Sequence, residues 1–193
     1  MAQTKFQKFV HDIQPLCFII TSATKGNPPS PEELASSRNL NLLREFYYFC
    51  CSEFSIENLT AFLTIRDYKK EPTFDKAYFI QRSFLDGKDC KYELNTNKSN
   101  IDAVINRLYY YKGMHVYEKI PAQYIFDAVF SDAKLNVTDT LCRFKSAYLQ
   151  RRLGSVWLYK VPLEKYIHEI PKHIDFIRSI NDAGFKLPIA LAV

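Results

Sequence analysis

Apolar residues recur at three- and four-residue intervals along most of the chain, and strand-like alternation is nearly absent. That period gathers side chains on one face of a helix, whereas a half-buried strand needs a period of two. Residues 4–20 read as an N-terminal helix, which the segment TSATKGNPPSP then breaks with Gly26 and three prolines. Ser30-Pro31-Glu32-Glu33 predicts a new start: Ser as N-cap, Pro at the first helical position, Glu three residues after the cap. Leu42, Leu43, Phe46, Tyr47 and Cys50 follow with helical spacing. Ser55 is placed to cap the next helix, where Leu59, Phe62 and Leu63 form one apolar face and Ala61, Ile65 and Tyr68 a second. A helix apolar on two sides belongs in the middle of a bundle.

A further helix is expected from Phe74 to Leu85, ended by Gly87, and the polar stretch KDCKYELNTNK reads as a loop. Ser99 is the candidate cap for a helix containing Ile101, Val104, Ile105, Leu108 and Tyr109, with Asp102 in its first turn. Residues 122–135 carry a clear amphipathic pattern. Ile125, Phe126, Val129, Phe130 and Ala133 lie on one side, with Asp127, Ser131 and Asp132 on the other. Another core helix holds Leu141, Phe144 and Tyr148. Residues 157–168 and 173–181 predict two last helices, separated by Pro171. The expectation is an all-α bundle.

Composition agrees with this pattern. A chain of 193 residues that is 47% hydrophobic and 15% aromatic can bury a core within one domain, with extensions. Only 5 glycines are present, which favours helices over glycine-rich loop folds. The net charge of +5 is spread rather than blocked, as on a solvated surface, with Lys69-Lys70 and Arg151-Arg152 as the basic pairs. The five cysteines (Cys17, Cys50, Cys51, Cys90, Cys142) show no CxxC spacing, so free thiols in a reducing, cytoplasmic setting are expected. No apolar run approaches the ~18 residues of a membrane span, and the N-terminal apolar run is too short for a signal peptide. The sequons at Asn58, Asn97 and Asn136 are accordingly read as coincidental.

Motifs of nucleotide, acyl-transfer and zinc-protease sites are missing: no GxxxxGK[ST], GxGxxG, GxSxG or HExxH occurs. His11, His115, His168 and His173 are scattered, so neither a metal site nor a cofactor is expected. Tyr109-Tyr110-Tyr111 could stack nucleic-acid bases, but on a helix the three rings point in three directions, so packing is the expectation. By elimination the chain reads as a binding module, without catalytic residues and without a nucleic-acid partner.

Two blocks make that reading specific. Glu53-Phe54-Ser55-Ile56-Glu57-Asn58-Leu59 resembles the acidic-aromatic-Ser-x-Glu-Asn-apolar turn of regulator of G-protein signalling (RGS) domains. Phe49 and Asp67-Tyr68-Lys69-Lys70 extend the match. Asp139-Thr140-Leu141-Cys142-Arg143-Phe144-Lys145-Ser146 resembles the family's Asp-Ser-x-x-Arg-Phe-x-x-Ser block, with Leu135 four residues before the Asp. Glu93-Leu94-Asn95 falls where the family has a loop asparagine. The resemblance covers roughly Leu42 to Leu153.

It implies a two-lobed bundle of about nine helices over residues 41–153. Helical extensions at 1–40 and 154–193 are expected to pack on the terminal lobe, the C-terminal one beside the N-terminal helix. The implied partner is a GTP-bound Gα subunit, preferred in its transition-state form and engaged by a monomer. The implied interface is Glu53, Phe54, Ser55, Glu57, Asn58, Glu93, Asn95, Leu135, Asp139, Thr140 and Arg143. Arg143 is expected to orient Asp139 from one helical turn away. Differences from the family pattern bear on partner choice: Ala61-Phe62 in place of Phe-Trp, Ile56 in place of an acidic residue, Thr140 for Ser, and a final block one residue shorter. Two other readings stand beside this one. One is an RGS-homology scaffold that binds without activating hydrolysis. The other is a helical module that associates weakly with the inner face of the plasma membrane through Lys5, Lys8, Arg151 and Arg152.

Overall fold

The computed structural model describes residues 30–36, 40–53, 55–87, 90, 92–113, 122–152 and 170–187, and the regular structure among them is helical. Helix α1 spans Pro31–Ser36, α2 Leu40–Ser52, α3 Ile56–Lys70 and α4 Phe74–Ile80, the last running into a π-helical turn, Gln81–Leu85. Helix α5 spans Lys98–Gly113, α6 Asp127–Arg152 and α7 Ile170–Asp182. The expected helices at 4–20 and 157–168 lie outside the described residues, as does Phe54.

Helix α3 is the axis of the bundle, as its two apolar faces require. Ala61, Phe62, Leu63, Ile65 and Tyr68 are all fully buried. Its interior hydroxyls are satisfied locally, Thr60 donating to the Ile56 carbonyl and Thr64 to that of Thr60, each at 2.7 Å. The long α6 lies against α3: Phe62 stacks on Phe130 at 5.1 Å between centroids, and Tyr68 meets Phe126, the residue just before α6, edge-on at 5.0 Å. Phe46 and Phe49 of α2 close on Phe144 further along α6, at 5.3 and 5.4 Å. Glu32 of α1 pairs with Lys134 of α6 at 2.9 Å.

Three local expectations are corrected. Ser55 precedes α3, but its hydroxyl makes no cap; it donates instead to the Cys50 carbonyl at 3.4 Å. Asn97, not Ser99, caps α5, its side-chain oxygen accepting the Ser99 N–H at 3.0 Å. Residues 123–126 form turns ahead of the helix, and residues 127–135 and the Leu141 helix are not separate: α6 runs unbroken for 26 residues. The polar run between them contains no Gly or Pro. Thr138 and Thr140 donate back to the carbonyls four residues earlier, at 2.8 and 3.0 Å, so their hydroxyls do not interrupt the helix.

Pro171 likewise sits inside the first turn of α7, where no intrahelical N–H is needed. Helix α7 and the following residues dock on the α4 side of the molecule. Phe176 meets Phe84 at 5.8 Å, and Phe185 meets Phe79 at 5.5 Å. The Lys186 N–H reaches the Asp67 carboxylate at 3.1 Å, beside the buried Lys76–Asp67 ion pair. The contacts described for this extension include α4, the π turn, the end of α3 and Tyr92, whereas the expected neighbour, the N-terminal helix, lies outside the described residues. Of the tyrosine triplet, Tyr111 meets Phe74 at 6.0 Å and Tyr110 at 6.1 Å, while Tyr109 and Tyr110 are largely exposed.

Among the described residues no helix is long and apolar enough to cross a membrane, and no three His, Cys, Asp or Glu side chains are grouped to hold a metal ion. Cys50, Cys51, Cys90 and Cys142 are free thiols, the first two buried.

Candidate functional site

Three separated segments meet on one face of α6. They are the α2–α3 turn (Glu53 to Asn58), the loop from Tyr92 to Asn97, and α6 itself. The positions that receive them, Asp132, Asn136, Thr140 and Arg143, recur at four-, four- and three-residue steps, so they form one stripe along the helix.

Asn136 is the central junction. Its side-chain amide donates to the Asn58 side-chain oxygen at 3.0 Å and to the Asn95 carbonyl at 3.3 Å. Asn58 in turn donates to Glu57 at 2.7 Å. Asp132 takes hydrogen bonds from Thr96 and, at 2.9 Å, from Asn100. The Thr96 hydroxyl is the main reason the Asp132 carboxyl is held below its ordinary range. The Tyr92–Asn97 loop is thereby pinned to α6 at two adjacent points.

Arg143 is the second junction. Its Nε donates to Glu53 at 2.7 Å, one terminal nitrogen donates to Asp139, and the other donates to Thr140 at 3.2 Å. The hydrogen bond it donates to Glu53 is the leading reason that the guanidinium is held more firmly protonated than usual. Thr140 donates to the Asn136 carbonyl at 3.0 Å, which joins the two junctions into one network. Arg143 orients Asp139, as the spacing predicts, and it also fixes Glu53, some 90 residues away in sequence.

Exposure sorts the expected interface residues. Glu53, Glu93, Asn95, Asp139 and Arg143 are exposed, and Leu135 keeps 69% of its surface in solvent. Ser55 and Glu57 are half-buried, and burial pushes the Glu57 carboxyl above its ordinary value. Asn58 and Thr140 are buried, at 6% and 3% exposed, with their polar groups engaged inside the chain. In the chain as it stands they support the surface from beneath, through bonds to and from Asn136. Phe54 lies outside the described residues.

Sequence reasoning missed Asn136, Asp132 and Thr96. Asp132 reads as solvent-facing on the amphipathic pattern, because the loop that covers it is remote in sequence. The signal that could have found Asn136 is its place on the stripe, four residues after Asp132 and three before Asp139.

What the surface offers chemically is a set of fixed acceptors. Two carboxylates held by one guanidinium stand on one side, and an exposed loop amide with an exposed leucine on the other. No family model, no curated protein and no solved structure matches the chain.

Proposed function

We propose that this chain is a protein-binding module of the RGS type, in the two-lobed, nine-helix arrangement of that family. It engages the switch regions of a GTP-loaded Gα subunit and accelerates hydrolysis there. The observation that carries the reading is the convergence of the two sequence blocks and the loop asparagine on one face of α6, tied by Asn136 and Arg143.

The chemistry follows from that rigidity. Gα holds its catalytic arginine in cis, so an activator has no need to donate one. What it contributes is order: switch segments held in the transition-state arrangement cost no reorganisation during the reaction. Carboxylates suit this task if they are already fixed. Glu53 and Asp139, held by Arg143, accept from switch amides and hydroxyls. Asn95, carried on a pinned loop, reaches toward the group that positions the attacking water. Leu135 supplies apolar contact.

Single-turnover GTP hydrolysis by purified Gα, with and without the protein, tests this. Expected are a faster rate and tightest binding to Gα carrying GDP with a transition-state mimic, since a ligand must favour the state it stabilises. Equal affinity for plain GDP-bound Gα contradicts the mechanism. One observation favours the scaffold reading: Asn58 and Thr140 are turned to internal bonds. Binding without acceleration would establish that alternative.

A further inference from the structure

The loop that carries Asn95 has a second anchor, and it comes from outside the two matched blocks. Tyr92, at the start of the loop, lies with its ring 4.1 Å from that of Phe176 on α7. Its hydroxyl is 2.7 Å from the Nδ1 of His173, one turn earlier on the same helix. Phe176 is itself buried and meets Phe84 of the π turn edge-on. The π turn ends with carbonyls that have no helical partner, and the loop supplies donors to them. The Tyr92 N–H reaches the Ser83 carbonyl and the Leu94 N–H the Phe84 carbonyl, each at 3.1 Å.

Loop residues 92–97 are therefore strung between two supports. At the far end Asn136 and Asp132 of α6 hold Asn95 and Thr96. At the near end α7 and the π turn hold Tyr92 and Leu94. Between them Leu94 is buried, while Asn95 remains exposed. With both ends fixed, the loop has few conformations left to lose when a partner binds.

We propose that α7 is a positioning element of the candidate site: Tyr92, clamped by His173 and Phe176, holds the Asn95 loop in its binding conformation before the partner arrives. This rests on the reading of Asn95 as a contact residue. The role is distinct from contact, since Tyr92, His173 and Phe176 act through the loop. Release of the clamp leaves the partner to order the loop, and that ordering is subtracted from affinity. At saturating concentration the loop is ordered either way, so the maximal rate is retained.

Two substitutions in the full chain test the idea. Phe176→Ala removes the ring contact, and Tyr92→Phe keeps the ring while deleting only the hydroxyl bonded to His173. Amide hydrogen exchange of the free protein reads the loop directly. Residues 92–97 should exchange about tenfold faster in Phe176→Ala and measurably faster in Tyr92→Phe, with α3 amides unchanged. In the hydrolysis assay the half-saturating concentration should rise about fivefold in Phe176→Ala while the maximal rate stays within about twofold. A purely structural role would instead scale activity with the folded fraction, which circular dichroism measures. Should Phe176→Ala fail to fold, Tyr92→Phe decides the matter alone. If wild-type protein does not accelerate hydrolysis, the function proposed above falls while the exchange measurement still judges the clamp. Wild-type exchange at 92–97 in the folded variants overturns it.

Discussion

Asn136→Ala removes a side chain that bonds to both the α2–α3 turn and the Asn95 loop. In the native chain its amide serves two acceptors, the Asn58 side-chain oxygen at 3.0 Å and the Asn95 carbonyl at 3.3 Å. The two losses are unequal. The Asn95 carbonyl lies on an exposed residue and can turn to water, which costs little. The Asn58 oxygen belongs to a side chain only 6% exposed, and an orphaned buried acceptor costs about 1–3 kcal/mol. Because Asn136 is half-buried and water can enter its place, the lower half of that range is expected, about 1–2 kcal/mol. For a chain of this size that lowers Tm by about 2–8 °C. Asn136→Asp should be worse than Ala, because it sets a carboxylate against two oxygen acceptors. Thermal unfolding of the three proteins gives the ranking. At a temperature where all are folded, Gα binding by Asn136→Ala should weaken about tenfold, equivalent to ~1.4 kcal/mol. Asn58→Ala in the same background should cost less than the sum of the two, since both act on one network. If Asn136→Ala melts with the wild type, or if Asp is tolerated better than Ala, the junction described here is not what holds the surface together.

Arg143→Ala should leave stability within about 1 kcal/mol, because its ion pairs are half-exposed. Gα binding should nonetheless fall about tenfold as Glu53 and Asp139 lose their shared orientation, measured by titration at low and high salt. Glu57 is a carboxyl whose folded pKa is raised by burial, so the folded state binds its proton more tightly than the unfolded one. Its contribution to stability is present at low pH and declines as pH rises above the ordinary 4.5 through the raised value. Glu57→Gln should abolish that decline in Tm measured against pH while keeping an oxygen for Asn58. Asp67→Asn leaves the Lys76 ammonium, whose side chain is 7% exposed, to the Glu71 carboxylate, which is equally near at 3.4 Å but 68% exposed. Breaking such a buried pair costs about 3 kcal/mol in urea unfolding, and α7 should loosen together with the Lys186 contact.

The amino-acid sequence by itself determined where most helices run and which one is central. Ala61, Phe62, Leu63, Ile65 and Tyr68 announce a helix buried on two sides, and they are buried. Periodicity carries that information because side chains three and four apart share a face whatever the rest of the chain does. It also placed Asp139 and Arg143 one turn apart, so their pairing was legible before any fold was known. Tertiary structure alone decided everything that joins residues remote in sequence. Asn136 bonds to residues 78 and 41 positions away, Arg143 to one 90 away, and Tyr92 to one 81 away. No local pattern encodes such partners. The split of α6 has a different and local cause: the polar run at its centre interrupts the apolar pattern, yet Thr138 and Thr140 bond back along their own helix. The limit on remote partners bears also on Asn58 and Thr140, which read in the sequence as partner contacts and which bond to and from Asn136 in the folded chain. A polar side chain announces that it needs a hydrogen-bonding partner, but only the packed chain determines whether that partner is water, another protein or itself.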